Sequence, residues 1–526
     1  MNTSPMSVSS ASPNGPDVNL LPARDLGEFT ENPSIQESNL EAVIPSPATY
    51  ITDTPDTPTF QIIKGGSAKG SDILVENEGY TFVKDGKPNR NSQQRWRCSI
   101  RTKTVKCLAS VMQNGNEFKR GAQPHSCPIK ESALHTAKIK LHLKKESKAR
   151  PFASGSTLVK EALLKHLPSD APTTSLPSMG ALVRSTNRQR QIRRPKHPTD
   201  LSFDWVQEAL PENFVQQDLR VGAARHVVMF TTLLLNLLVN AKTWYVDATF
   251  KAVKKPFQQL WSIQKFIQQN DAMKQIPLVF VLMSRRMKDD YMSVLNYLQG
   301  ILINSSVQCV VMDFEAAVWG AFRSVFPGVI LRGCSFHWGQ AVWRKIQDLG
   351  LAPTYREKRS THKFLRELMC LPFLPFEHIP PVFKEFLDLL EPHHPQALHQ
   401  LLQYIEETWI DGPVWTPESW SVFGQSVRTN NDVEGWHYHL NHICARENVN
   451  IYVLIEALHK ECTFISTQCQ LVADEKLRRY QRKTYIKHQQ KIFELWDQYR
   501  MKEITATNML RKLSNFIRPA DCLNNI

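Results

Sequence analysis

The sequence predicts a mixed α/β protein: a sheet domain carrying a helical insertion, placed behind a small β-rich module. Three observations predict it. From about residue 221 to 345 strand-like and helix-like periods alternate, as in a sheet covered by helices. Residues 346–425 then turn helical and proline-containing, interrupting that unit. Residues 73–129 hold only short β-like runs separated by turn signals such as Asp85-Gly86-Lys87-Pro88 and Asn114-Gly115-Asn116.

Within the α/β region the predicted strands end at Asp247, cover 259–267 and 276–283, end at Asp313, and cover 329–332. Helices fit 289–303 and 315–325. The apolar run 227–239 contains Thr231, Thr232 and Asn236. It is too short to span a bilayer and reads as a buried helix. Residues 451–500 read as long helices, with seven Lys/Arg between Lys476 and Lys491. There is no internal repeat.

The length of 526 residues exceeds one ordinary domain, and 42% hydrophobic content is ample for several cores. The expected order is a disordered tail (1–65), the β-rich module (66–130), a basic helical linker (131–205), the first part of the α/β core (206–345), the insertion (346–425), a return helix (426–450) and a helical C-terminal region (451–526). The tail is rich in Ser, Pro, Thr and Asn with few aromatics, a composition that cannot bury enough surface to fold. The net charge of +14 understates the basic character. Residues 1–60 contribute −7, so the remainder carries +21. That excess points to an anionic polymer as partner. The polar start lacks an apolar signal segment, and ten scattered cysteines fit reduced thiols in cytosol or nucleus rather than a disulfide framework.

Six Lys/Arg lie between Lys138 and Arg150, and six more between Arg184 and Lys196 without an acid. Either run alone fits a solvated face. Two beside a small stapled module favour a nucleic-acid surface, with Arg188, Arg190, Arg193, Arg194 and Lys196 as candidate contacts. Double-stranded DNA, a homo-oligomer on that DNA, nuclear residence, and neither membrane nor small organic cofactor complete the expectation.

Cys98, Cys107, His125 and Cys127 are two pairs of soft or borderline ligands, each at the edge of a β-like run. Four such donors suit tetrahedral zinc, whose binding would fold a module too small for its own core. Buried free cysteines beside a surface histidine are the alternative. Trp96-x-Cys98, Cys107-x-Ala109 and His125-x-Cys127 resemble a FLYWCH-type zinc finger over roughly residues 70–130. Cys127 stands where that family usually has histidine, and Arg95 where an aromatic commonly precedes the tryptophan. The resemblance implies a module that binds DNA or protein.

The acids carry the chemistry. Trp244-Tyr245-Val246-Asp247 and Val310-Val311-Met312-Asp313 each climb to a carboxylate at a strand end, and Glu434 follows in Asn430-Asn431-Asp432-Val433-Glu434. Phosphoryl transfer needs a nucleophilic oxygen, an in-line leaving oxygen and charge neutralisation, which two Mg²⁺ or Mn²⁺ ions held by acids supply. In that scheme Asp247 bridges both ions, Asp313 completes one site and Glu434 the other. Each acid alone could be an ordinary helix-start residue; the constellation argues otherwise. Cys334 and His337, four positions spanned by one helical turn, read as structural or DNA-positioning, with His437 or His439 as further metal donors the lesser option. Trp338, Trp343 and Trp436 could stack on a splayed base, although core packing is the commoner fate.

Asp247-Ala-Thr-Phe250, Met312-Asp313-Phe-Glu-Ala316, Cys334-Ser-Phe-His337 and Thr429-Asn-Asn-Asp-Val-Glu434-Gly-Trp-His437 resemble the Mutator-like element (MULE) transposase domain over about residues 240–445. The resemblance implies an RNase H-like fold with Asp247, Asp313 and Glu434 as the catalytic acids. It implies metal-activated cleavage at element ends and strand transfer by a DNA 3′-hydroxyl. A domesticated, non-catalytic DNA-binding protein retaining that fold is the alternative.

Overall fold

The computed structural model describes residues 58–515, except 68, 102–104, 271, 358, 429–430, 445–448 and 478–482. The chain divides into two units, Met1–Pro58 and Thr59–Ile526, and every element below belongs to the second. Most of the expected tail therefore lies outside the described residues. Folded structure begins inside its predicted limit, because Phe60 and Ile63 pack on opposite faces of β1: Phe60 stacks on Phe118 with ring centres 5.3 Å apart, and Ile63 meets Ala133 and Ala137.

The first sheet is an antiparallel meander in chain order: β1 (Phe60–Ile63), β2 (Ile73–Glu76), β3 (Thr81–Lys84), β4 (Gln94–Cys98), β5 (Ser110–Asn114) and β6 (Glu117–Arg120). Its core is small, built on Leu74, Phe82, Trp96 and Val111, and it includes Cys98, Cys107 and Cys127. Three helices follow, α1 (Ala133–Ala149), α2 (Gly155–His166) and α3 (Met179–Arg193). They share Ile139, Leu143, Leu158, Val159 and Leu182, while Ala133 and Ala137 of α1 pack on Ile63 and Val75 of the sheet.

The second sheet has seven strands: β7 (Val215–Val221), β8 (Ala224–Met229), β9 (Thr243–Thr249), β10 (Gln259–Gln269), β11 (Ala272–Met283), β12 (Cys309–Met312) and β13 (Ile330–Gly333). Their order is β13-β12-β9-β10-β11-β8-β7. β9 pairs antiparallel with β10 and parallel with β12, which pairs parallel with β13. α4 (Thr232–Val239) precedes β9, α5 (Lys288–Ile301) precedes β12, and α6 (Ala316–Val325) makes the crossover that parallel neighbours require. The run 227–239 is thus not one buried helix. Val227 and Val228 are β-branched and pair in β8, and Thr231 then caps α4 by accepting from the Leu234 amide. The β7–β8 hairpin extends the sheet on the side away from β13.

α7 (Ser335–Asp348), α8 (Leu351–Glu357), α9 (Arg359–Leu368), α10 (Ile379–Asp388), α11 (Gln396–Ile405) and α12 (Pro417–Trp420) form the helical region after β13. α13 (Asn431–Cys444) and α14 (Ile451–Ala473) return to the sheet; α15 (Lys483–Arg500) and α16 (Ala506–Leu513) do not. Leu495, Trp496, Met509, Leu510 and Leu513 instead join Trp338, Trp409 and Trp420 in a second large core. The C-terminal helices thus serve two bodies. Among the described residues no helix is long and apolar enough to cross a membrane.

Gly333 ends β13 beneath the Phe314 ring. A Cβ there would lie 2.1 Å from Phe314 Cζ. Phe314 is also held by Trp319, nearly parallel at 6.0 Å, and edge-on by Trp409 at 4.6 Å and Trp415 at 5.7 Å. With three ring partners it cannot move aside cheaply. Gly333→Ala is expected to destabilise the protein by about 1–3 kcal/mol in urea unfolding, the usual cost of overpacking.

Candidate metal centres

Strand register brings the first two acids together. Val310 pairs with Trp244 and Val311 with Tyr245 in the parallel ladder. Asp247 lies two residues past Tyr245, and Asp313 two past Val311. With a side-chain period of two, both project at the same level and on the same face of neighbouring strands. β13 extends the row: Met312 pairs with Gly333, so Cys334 falls beside Asp313. Cys334 is also the N-cap of α7, whose first turn carries His337 over the row. One ligand atom each from Asp247, Asp313 and His337 lies within 4.8 Å of the others.

The electrostatics are lopsided. Asp247 is buried, its amide neighbour Ala248 donating to Oδ1 at 2.7 Å. His337 Nδ1 lies 2.6 Å from Asp313 Oδ1. Burial works against a charged His337, but the Asp313 charge and the adjacent Cys334 outweigh it and raise the His337 pKa well above the usual histidine value. His437 Nδ1 is 3.7 Å from Asp247 Oδ2, yet burial pushes its pKa down to about 4, so it is neutral at pH 7. Two carboxylates thus face one imidazolium in a largely enclosed place. Such a site gains from a divalent cation, and the two carboxylates offer the hard oxygen donors that suit Mg²⁺ or Mn²⁺, with His337 as their charged hydrogen-bond partner.

α13 crosses this row. Val433 is buried against Tyr245 and Val311, the residues that precede the two acids by two. Glu434 follows Val433 on that helix, three residues before His437. Its side chain lies outside the described residues. His439, the other candidate donor, is exposed and pairs with Glu461 at 3.4 Å. Beside the row, Glu315 is half-buried and accepts from the Tyr291 hydroxyl at 3.1 Å; burial raises its pKa. His337 is the residue whose place beside the acids the sequence did not reveal.

Cys98, Cys107, His125 and Cys127 converge as a second cluster. Cys98 Sγ is 3.7 Å from Cys127 Sγ, and His125 Nδ1 is 3.5 Å from the sulfurs of both Cys107 and Cys127. A tetrahedron with metal–sulfur bonds of about 2.3 Å and metal–nitrogen bonds of about 2.0 Å has edges of roughly 3.5–3.8 Å. The donor spacing fits a tetrahedral metal of the zinc type. Tyr80 stacks on the His125 ring at 3.6 Å and Phe82 meets its edge, fixing its plane. Burial lowers the His125 pKa, keeping the ring a neutral donor. Burial would raise the Cys107 thiol, but backbone N–H groups of Ala109 and Ser126 bring it down to about 7, while burial sends Cys127 up to about 12. A metal would have to displace the Cys127 proton.

The basic candidates divide. Arg188, Arg193 and Lys196 are exposed. Arg190 is buried and donates to the Ala153 carbonyl and the Asn187 side chain, so it braces α3 against the α1–α2 turn and is not a surface contact. Arg194 donates to the Pro151 carbonyl and lies over the Phe152 ring. Trp338 and Trp343 are core residues, and Trp436 stacks on Phe280.

The adjacency of the acids gives opposite expectations for two substitutions. In Mg²⁺-free buffer Asp247→Asn relieves like-charge repulsion and should raise stability by about 1 kcal/mol. Asp313→Asn strands the His337 imidazolium and should lower it by about 2 kcal/mol, both read from urea unfolding. A search of curated proteins gave no match. Residues 243–341, running from β9 into α7 and including Asp247, Asp313, Cys334 and His337, match the family model of the MULE transposase domain.

Proposed function

We propose that the protein is a DNA transposase of the Asp-Asp-Glu type, a metal-dependent polynucleotidyl transferase. The observation that carries this reading is the side-by-side placement of Asp247 and Asp313 by the β9–β12 register, inside the segment that matches the transposase domain. The order β11-β10-β9-β12-β13, three antiparallel strands then two parallel ones, supports an RNase H-like sheet. Asp247 and Asp313 would hold the divalent ions, and Glu434 on α13 would supply the third carboxylate. Bound there, the ions would activate the attacking oxygen and neutralise charge on the phosphate.

The chain's own groups do the positioning. Asp247 is fixed on the central strand, flanked by both neighbours. His337 orients Asp313 through the 2.6 Å contact. Neutral His437 closes the site on the α13 side without competing for the cation charge. Nuclear residence and oligomerisation on duplex DNA belong to the same proposal.

The test is cleavage and strand transfer on duplexes bearing candidate terminal repeats, with Mg²⁺ or Mn²⁺. Asp247→Asn and Asp313→Asn should each lower the rate by at least about a thousandfold while leaving DNA affinity within a few-fold. Salt-sensitive DNA binding with no cutting by the unmodified protein would instead support the domesticated, non-catalytic reading.

We assign zinc to the Cys98, Cys107, His125, Cys127 cluster, in a FLYWCH-type finger. One equivalent of zinc per chain should copurify, by elemental analysis. Cys107→Ser should release it and expose the amides of β1–β6 to hydrogen exchange, with β9–β12 still protected. A protected first sheet without metal would contradict the assignment.

A further inference from the structure

A cationic groove runs between the end of β1 and the helices α1 and α2, lined by Lys64, Lys138, Lys145, Lys165, His142 and His166. Lys138 and Lys145 are seven residues apart on α1 and so share a face. Lys64 reaches the groove from the turn after β1, and Lys165 with His166 from the last turn of α2. The helix C-terminus accounts for those last two, since cations are favourable there. It does not account for Lys64, Lys138 and Lys145. None of these three forms an ion pair among the described residues. One acid, Glu146, also lines the groove; it pairs with Arg150 at 3.2 Å, a guanidinium it shares with Glu161, and it is outnumbered by the lysines.

Like charges are thus gathered where two separately packed units meet. His142 and His166 stand edge to face with ring centres 5.0 Å apart. Burial first, then the positive field of His142, Lys165, Lys138 and His135, holds the His166 pKa below its usual value. Concentrating unpaired cations in a concave place costs stability unless an anion is the intended occupant. Its α1 wall runs from Lys138 to Glu146, more than two helical turns, which suits a linear polyanion better than a single small one.

We propose that this groove is a docking site for the sugar-phosphate backbone of duplex DNA, spanning the first sheet and the three-helix unit. It rests on the nucleic-acid reading above but is independent of the acids at the second sheet. Its expected role is sequence-independent grip.

The experiment measures affinity of the full chain, carrying Asp247→Asn so that no strand is cut, for a duplex of about 30 base pairs across a salt series. Each neutralised phosphate contributes about 0.9 to the slope of log affinity against log salt. Lys64→Ala, Lys138→Ala and Lys145→Ala together should flatten the slope by about 2–3 and weaken binding at least tenfold at low salt. The matching triple arginine variant should keep the slope, because it keeps the charge. An unchanged slope in the alanine variant would overturn the proposal, as would an equal loss in the arginine variant. Zinc content and circular dichroism of both variants exclude unfolding as the cause. A protein that never cuts DNA but shows the slope change would lose the catalytic reading and keep the groove; one that cuts normally with no slope change would do the reverse.

Discussion

The parallel ladder between β9 and β12 is the constraint from which the rest follows. It is a short ladder, with Thr243, Trp244 and Tyr245 facing Cys309, Val310 and Val311. A slip of one residue would turn one of the two acids to the opposite face of the sheet. The register is set by packing on both faces: Trp244 and Val310 are fully buried in the main core, while Tyr245 and Val311 meet Val433 of α13 on the other side. The same contacts that make the sheet stable therefore fix the separation of two carboxylates, Asp247 buried and Asp313 partly exposed. That arrangement is unfavourable in itself, and the core packing holds it in place.

Much of this was legible in the sequence. β9 to β13, α5 and α6 announced themselves through apolar runs of the right length, and the two acids through their position at the ends of such runs. The pairing of those strands was not legible, because parallel register depends on residues far apart in the chain. For the same reason His337 read as a structural or DNA-positioning residue, with metal ligation the lesser option; the α7 start at Cys334 swings it over the acids. The convergence of Cys98, Cys107, His125 and Cys127 was legible from residue type and strand edges, since soft donors in a small module have few other uses. Arg190 misled because composition cannot distinguish a solvated guanidinium from one donating to a buried carbonyl. The end of β8 was hidden in an apolar run that a helix would fit equally well.

Aromatic rings tie the acids to the helical region beyond β13. Phe314, the residue after Asp313, lies against Gly333 and inside the ring contacts of Trp319, Trp409 and Trp415. Trp409 sits in a π-helical turn, Glu406–Ile410, and its carbonyl accepts from the Trp420 indole at 2.9 Å. π-turns recur where a side chain must be re-aimed at a functional place. Here the turn delivers Trp409 to the rim of the sheet, so the insertion and the acids share one rigid contact.

The core of that insertion is completed by Leu495, Trp496, Met509, Leu510 and Leu513, which come far later in the chain than the tryptophans they cover. On the ribosome, the helices after β13 emerge long before the segment that seals them. Until α15 and α16 appear, Trp338, Trp409 and Trp420 have no lid, and Phe314 leans on an unfinished wall. A chain cut before α15 would carry both aspartates yet lack a firm seat beneath them, so the geometry of the paired acids depends on helices far downstream of the strands that bear them.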